Sequence, residues 1–532
     1  QNPAIVPVPS VLPRIIRLPD VSEANSRHCF VFLEDMLMFY AARFFVGYDL
    51  LEARAFRITR DADLYIDEED AQDLVVEVER LEFEVGTSRF MRRFMTQEMN
   101  LEKEDMYQID GPLDMTVFFG FCGIKGYNHL RYPEAHPHSP WSMLELKRTP
   151  ETNIFDMIRE KDLLIHLPYE SFDESVVNFL YSAANDKDVL AIKQTLYRVS
   201  SSSPVVQALE KAVQNGKQVT VLMEVKARFD EANNILMARR LEKAGAHVIY
   251  GLVGLKTHSK CTLVIRREKD GIRRYVHVAT GNYNASTAKL YTDLGILTCS
   301  DRFGIDASAF FNLLSGYSDP PIWDSFIVAP INLRQRCIEL IDREIHFAKN
   351  GEDAHMIAKM NSLLDKGIIE KLYEASQAGV KIELIVRGIC VLIPGIPGVS
   401  DNITVRSIVG RFLEHSRIFW FRNGGREELY ISSADWMPRN LNDRVELMVP
   451  IEDPEIKRRL KQMVDIELSD NQKAHIMQAD GTWLKTISAE NQLCAQEYFQ
   501  KIAEKRDAED EMTLAQKLEP YTPVLGHGDG SD

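Results

Sequence analysis

The stretch Leu255-Lys256-Thr257-His258-Ser259-Lys260-Cys261-Thr262-Leu263-Val264-Ile265 sets a histidine two residues ahead of a lysine, at the head of a β-branched run. Residues two apart on a strand share a face, so the spacing predicts an imidazole and an ammonium side by side. Imidazole can be a nucleophile near neutral pH, and an ammonium is a point charge suited to phosphate. A single His-x-Lys pair is more often an ordinary strand edge. A second copy lifts it above that: Leu413-Glu414-His415-Ser416-Arg417-Ile418-Phe419-Trp420-Phe421 repeats the pattern 157 residues later, with arginine replacing the lysine.

The surroundings of the two histidines also repeat. Before His258, Asp188 to Arg198 reads as a buried strand, Pro204 to Gly216 as a helix with proline at its start and glycine at its stop, and Lys217 to Val225 as a strand. Ala232 to Gly245 follows as a helix and Ala246 to Tyr250 as a strand. Before His415, Met356 to Leu363 reads as a strand, Gly367 to Gly379 as a helix, Val380 to Arg387 as a strand and Arg406 to Glu414 as a helix or loop. Gln214-x-Gly216 and Gln377-x-Gly379 mark equivalent helix ends. Each histidine is followed by a polar turn, Thr280-Gly281-Asn282-Tyr283-Asn284 or Ser432-Ser433-Ala434-Asp435-Trp436. Alternating strands and helices at a period of about 160 residues predict two similar α/β domains whose histidines face one cleft.

Outside this duplication, residues 1–140 read as an α+β domain, with Phe56 to Leu64 strand-like and Asp67 to Glu79 an acidic helix. The two catalytic-type domains are expected over 141–320 and 321–490, with a helical, acidic tail over 491–532. Tyr132 to Pro140 is punctuated by proline, which suits a linker better than a metal site despite His136 and His138.

Composition excludes several classes. The 532 residues carry a net charge of −16, which argues against a general nucleic-acid binder. Within that acidic chain, Gly251 to Ser300 holds eight Lys/Arg against three acids, a local basic site, although Arg266 to Arg274 also reads as a solvated hairpin. No run meets the uncharged 18-residue requirement for a membrane span, and no signal peptide is recognisable. Seven scattered cysteines without C-x-x-C suggest neither a zinc site nor a disulfide framework and fit a reducing cytoplasm.

Paired histidines, each with a basic residue two later and a small polar turn beyond, resemble the phospholipase-D superfamily. The aspartate that this motif places seven residues after each histidine is absent, its positions being Ile265 and Arg422. Those departures are similar to the polyphosphate kinase 1 family, which the chain resembles from Phe56 to about Asp470. The resemblance is carried by Ile192 to Arg198, Lys226 to Glu231, Thr257 to Lys260, His277 to Asn284, Leu290 to Asp293, Ile385 to Cys390 and Ser432 to Met437.

It implies two tandem phospholipase-D-like α/β domains with pseudo-twofold symmetry behind an α+β domain. The implied enzyme moves the γ-phosphate of ATP reversibly onto inorganic polyphosphate with Mg²⁺. It implies ATP, ADP and polyphosphate as partners, no nucleic acid, a homo-oligomer (dimer or tetramer) and a cytoplasmic location with peripheral membrane association. The family's helical N-terminal domain, whose asparagine contacts nucleotide, is not found before Gln1, so a piece of a longer protein is expected.

By the same resemblance His258 becomes phosphohistidine, Tyr291 stacks the adenine, and Arg198 and Arg228 occupy positions associated with Mg²⁺. Cations are odd metal ligands, so these two arginines read better as clamps on metal-bound phosphates. Lys260, Arg387 and Arg417 are the residue types that neutralise charge spread over a transferring phosphoryl group. Lys193 is grouped with them. His415 is expected opposite the attacking nitrogen, and His277 in a supporting role or as a core histidine. The readings from other classes are a phospholipase-D-like phosphodiesterase and a non-catalytic polyanion scaffold.

Overall fold

The computed structural model describes residues 2–9, 11–19, 28–60, 78–144, 152–200, 202–225, 231–252, 254–316 and 322–518. They form two compact units, Gln1–Pro133 and Glu134–Asp532. The first is α+β. Strands Phe56–Arg60, Val78–Glu84 and Met106–Ile109 make a three-stranded sheet, on which helix Arg89–Glu98 closes a small core of Leu81, Phe83, Met95 and Leu101. Of the acidic helix expected from Asp67 to Glu79, residues 67–77 lie outside the described residues, and Val78 and Glu79 open the second strand.

The second unit is built twice. In its first half, helix Pro204–Gln214 starts on the Ser203 hydroxyl, which accepts from Val206 N–H, and turns out through Asn215 into Gly216 at φ 78°. In the second half, helix Lys366–Gln377 starts on the Asp365 carboxylate and turns out through Ala378 into Gly379 at φ 100°. The positive φ at both stops is what glycine tolerates and other residues resist. Each helix crosses between parallel strands: Val189–Leu196 to Gln218–Met223, and His355–Met360 to Lys381–Val386. Of the segment read as helix or loop from Arg406 to Glu414, residues 409–412 are loop, but Leu413–Glu414 is a two-residue strand and Arg406 to Ile408 ends strand Ile403–Ile408. There Ile403, Val405 and Ser407 alternate with outward residues, and the β-branched run favours extended backbone.

The sheets exchange strands at the histidines. The first sheet runs Leu413–Glu414, Tyr291–Thr298, Gly271–Ala279, Cys261–Glu268, Val189–Leu196, Gln218–Met223, His247–Tyr250, and the edge beside Tyr291–Thr298 is shared by Leu163–Leu167 and Leu413–Glu414, the pair of residues before His415. The second sheet begins with Lys256–Thr257, the pair before His258, laid parallel on Arg444–Pro450. Between the sheets lies one apolar core that includes Leu263, Val276, Phe310, Ile418, Trp420 and Leu447. His258 therefore does not stand at the head of one continuous strand. The backbone switches sheets there, His258 and Ser259 N–H both donating to Val445 O before the chain resumes in Cys261–Glu268. Among the described residues, no helix is long and apolar enough to cross a membrane.

Candidate active site

The exchange puts each histidine against a carboxylate of the opposite half. Lys256 and Thr257 register with Arg444 and Val445, so the next residues, His258 and Glu446, come together. His258 Nδ1 lies 2.8 Å and 2.9 Å from the Glu446 oxygens. Tyr291 and Thr292 register with Leu413 and Glu414, and the next pair meets in the same way: His415 Nδ1 lies 2.8 Å and 2.9 Å from the Asp293 oxygens. In both copies the polar turn supplies a hydroxyl to the carboxylate, Thr280 Oγ1 to Asp293 at 2.6 Å and Ser433 Oγ to Glu446. Asn440 Nδ2 adds a bond to Glu446 at 2.6 Å. Gly281 lets the first turn lie on its carboxylate, since a Cβ there would fall 2.2 Å from Asp293 Cγ.

The cations fill the space around these pairs. Lys260 Nζ is buried and donates back to the His258 carbonyl, with Nζ 5.8 Å from the Tyr197 ring centre. Tyr197 meets the His258 ring edge-on at 4.9 Å, and the Arg198 guanidinium lies 5.8 Å from the same tyrosine. Arg417 is held bidentately by Asp435 at 3.1 Å and 3.0 Å, while its Nη1 donates to His415 O at 2.7 Å and to Thr280 O at 3.4 Å. Arg387 donates to Asn361, which donates in turn to Asp435 and to His415 O. Tyr291 tilts against His415 with ring centres 5.2 Å apart.

Electrostatics sort the groups. Burial pushes His258 well below the ordinary histidine value, and the Lys260, Arg444 and Arg417 charges push the same way, so its ring is neutral at pH 7. With Nδ1–H donating to Glu446, the lone pair resides on Nε2. Burial lowers His415 too, but Asp293 opposes it. Burial works against ionising Asp293, yet His415, Thr280 and Arg417 together hold its carboxyl below the usual range. Glu446 is raised by burial despite Lys260 and Arg444. Lys260 is pushed down to about 7, chiefly by burial.

Of the residues singled out from sequence, His258, Lys260, His415, Arg417, Arg387, Tyr291 and Arg198 are drawn into this cluster. Arg228 lies outside the described residues. Lys193 is directed elsewhere, its Nζ meeting Asn312 at 3.4 Å on helix Asp301–Leu314. His277 is 2% exposed and its Nδ1 lies 2.9 Å from the Tyr283 hydroxyl; a Cβ on Gly295 would sit 2.6 Å from Nε2. Burial pushes its pKa down to about 3, so it stands as a neutral core histidine and not as a phosphate contact. Arg266, counted in the basic stretch, pairs with Asp186 and Glu268.

Sequence reasoning gave no role to Asp293, Glu446, Asp435 or Arg444. One signal was present: the partner carboxylate follows the polar-turn hydroxyl by 13 residues in both copies.

Three family descriptions match the chain in succession: polyphosphate kinase middle domain over residues 1–121, C-terminal domain 1 over 153–320 and C-terminal domain 2 over 326–496. The polyphosphate kinase of Halalkalibacterium halodurans is 51% identical over 486 residues, spanning 88% of this chain and 68% of that protein. That of Bacillus anthracis is 48% identical over 500 residues, or 91% and 70%. The crystal structure of the polyphosphate kinase from Porphyromonas gingivalis superposes with a TM-score of 0.78 at 33% identity, covering 94% of this chain and 75% of that one.

Proposed function

The chain belongs to the polyphosphate kinase family, and from that premise we propose that it transfers the γ-phosphoryl group of ATP reversibly to inorganic polyphosphate through a phosphohistidine on His258. The observation that carries this is the crossed pairing. Glu446 fixes His258 with its lone pair on Nε2, and burial among cations keeps that ring neutral. Nε2 attacks the γ-phosphorus, the bond from phosphorus to the bridging oxygen breaks, and ADP departs. A terminal oxygen of polyphosphate then attacks the phosphorus, the N–P bond breaks, and the chain is one phosphate longer.

His415 serves the departing oxygen. Burial favours its neutral form, and a bound phosphate dianion beside it, together with Asp293, favours the imidazolium needed to donate a proton. Lys260, Arg387 and Arg417 neutralise charge that spreads over the equatorial oxygens. Asp293, Asp435 and Glu446 are engaged by His415, Arg417 and His258, and no metal-holding group of three or more His, Cys, Asp or Glu occurs among the described residues. The donor set suits phosphate oxygens, not a protein-held cation, so Mg²⁺ is expected on the ATP phosphates as part of the substrate. Arg198 is a phosphate clamp in this reading. Peripheral membrane association and homo-oligomerisation are proposed from the family resemblance, and cytoplasmic placement from that resemblance together with the scattered cysteines.

Incubation with γ-labelled ATP and Mg²⁺ tests the reading. An acid-labile adduct on His258 and growth of a labelled polymer are expected. An adduct mapped to another residue, or a His258→Ala protein that still makes polymer, overturns it.

A further inference from the structure

The two histidines are supported from behind in unlike ways. Cys261, three residues past His258, lies across from Thr195, whose hydroxyl donates to Ser259 O at 2.8 Å and accepts from Cys261 N–H at 3.0 Å. Ile418, three residues past His415, lies across from Lys359. This lysine is 2% exposed and donates to Glu414 at 2.6 Å and to Glu467 on helix Pro454–Leu468. Glu414 immediately precedes His415. The carboxylate also accepts from Thr292 Oγ1 at 2.7 Å and from Gln496 Nε2 at 2.7 Å, and Thr292 Oγ1 accepts the His415 N–H at 3.2 Å.

Gln496, the second residue of helix Ala495–Leu518, clasps the loop as well, its amide oxygen accepting from Phe412 N–H at 3.0 Å and its Nε2 donating to Phe412 O at 2.9 Å. A Cβ at Gly410 would fall 2.3 Å from that amide oxygen, so the loop and the helix start are in close contact. Buried ionic groups are weak stabilisers, and their best-attested use is to fix one arrangement among several. The first half does the packing job with a threonine, so charge is not needed for packing alone.

We propose that Lys359, Glu414 and Gln496 are positioning residues for His415, which hold its backbone in register with Asp293 and make phosphoryl transfer depend on the docked C-terminal helix. This rests on the role given to His415 above. Lys359 sets Glu414, Glu414 sets Thr292 and the strand edge, and Thr292 sets the His415 backbone. Removing the clasp leaves His415 present but misplaced, and a displacement of an ångström is enough to slow a positioned step steeply.

The experiment is a double-mutant cycle on Gln496→Ala and His415→Ala in the full chain, read as the single-turnover rate of His258 labelling at saturating ATP, with KM for ATP and melting temperature measured alongside. Gln496→Ala should slow labelling about 10-fold or more with KM within about 2-fold. The double variant should be no slower than His415→Ala alone. An unchanged labelling rate, or effects that multiply in the double variant, overturns the inference. If His415→Ala labels at the normal rate, the role assigned to His415 fails, and this inference with it; a slow His415→Ala with an inert Gln496→Ala sinks the inference alone. Should Gln496→Ala fail to fold, Glu414→Gln, which keeps the shape and removes the charge, enters the same cycle with the same outcomes.

Discussion

Glu446→Gln is the sharpest perturbation of the proposed chemistry, because it keeps the shape of a fully buried side chain and changes only charge and proton direction. In the native site Glu446 accepts from His258 Nδ1 at 2.8 Å, from Asn440 at 2.6 Å and from Ser433. A hydrogen bond to a charged partner is worth about 1.5–3 kcal/mol, so its loss alone slows attack by roughly 10- to 150-fold. The amide has a second effect. If its NH₂ faces Nδ1, the ring must carry its proton on Nε2, the nitrogen that should attack. Wrong-tautomer substitutions of this kind cost about 10⁴-fold in a serine-protease triad. The expected fall in the first-turnover rate of His258 labelling is therefore about 10²- to 10⁴-fold. The assay is rapid-quench labelling with γ-labelled ATP and Mg²⁺, stopped in alkali to preserve the N–P bond. A rate within about 3-fold of the unmodified protein, with an unchanged melting temperature, would refute the assignment of Glu446 as the partner that orients His258.

Lys260 yields a pH prediction. Its folded pKa is lowered to about 7 from 10.5, chiefly by burial, so it loses its charge as pH rises through 7. Bound polyanion restores the ammonium, so polyphosphate binding at pH 7.5 should take up more protons than in Lys260→Arg; calorimetry in buffers of different ionisation enthalpy measures this, and equal uptake refutes it. Arg387→Ala should lower kcat about 10²-fold with little change in KM for ATP, because its charge is needed most in the transition state; steady-state kinetics in which only KM rises would make it a ground-state contact. Gly281→Ala puts a Cβ 2.2 Å from Asp293 Cγ. Thermal unfolding should show a loss of about 1–3 kcal/mol from overpacking, together with slower His258 labelling as Asp293 is displaced from His415; native stability and rate would mean that the turn yields freely.

How much could be read beforehand follows from sequence separation. Helices Pro204–Gln214 and Lys366–Gln377 were legible because caps and glycine stops act over a few residues. The strand Ile403–Ile408 was misread because the segment was entered at Arg406, past Ile403 and Val405, which carry half of its alternation. The histidines were legible as a repeated motif. Their partners were not, because His258 and Glu446 are 188 residues apart and His415 and Asp293 are 122 apart. No local period encodes a contact made by a strand that leaves its own sheet. Lys193 went astray, and His277 stayed open between a supporting role and a core histidine, for the complementary reason: their residue types suit phosphate, but alternation along Val189–Leu196 and Gly271–Ala279 decides which layer each side chain enters.

The strand exchange explains why a duplicated half cannot do the chemistry alone. Either half without the other has a histidine with no carboxylate and a carboxylate with no histidine, since His258 needs Glu446 and His415 needs Asp293. Each two-residue strand, Lys256–Thr257 or Leu413–Glu414, is a sheet edge that only the opposite half completes. Closure of the two halves and assembly of the proposed phosphate site are therefore one event. The site is nonetheless unsymmetrical, with Lys260 against Arg417, Glu446 against Asp293, and the charged support of Lys359 and Glu414 behind His415 alone. A symmetric pair would offer two equivalent nucleophiles for one phosphorus. In the proposed reaction, differences in cation, carboxylate reach and backbone support are what give His258 the attack and leave His415 to the departing oxygen.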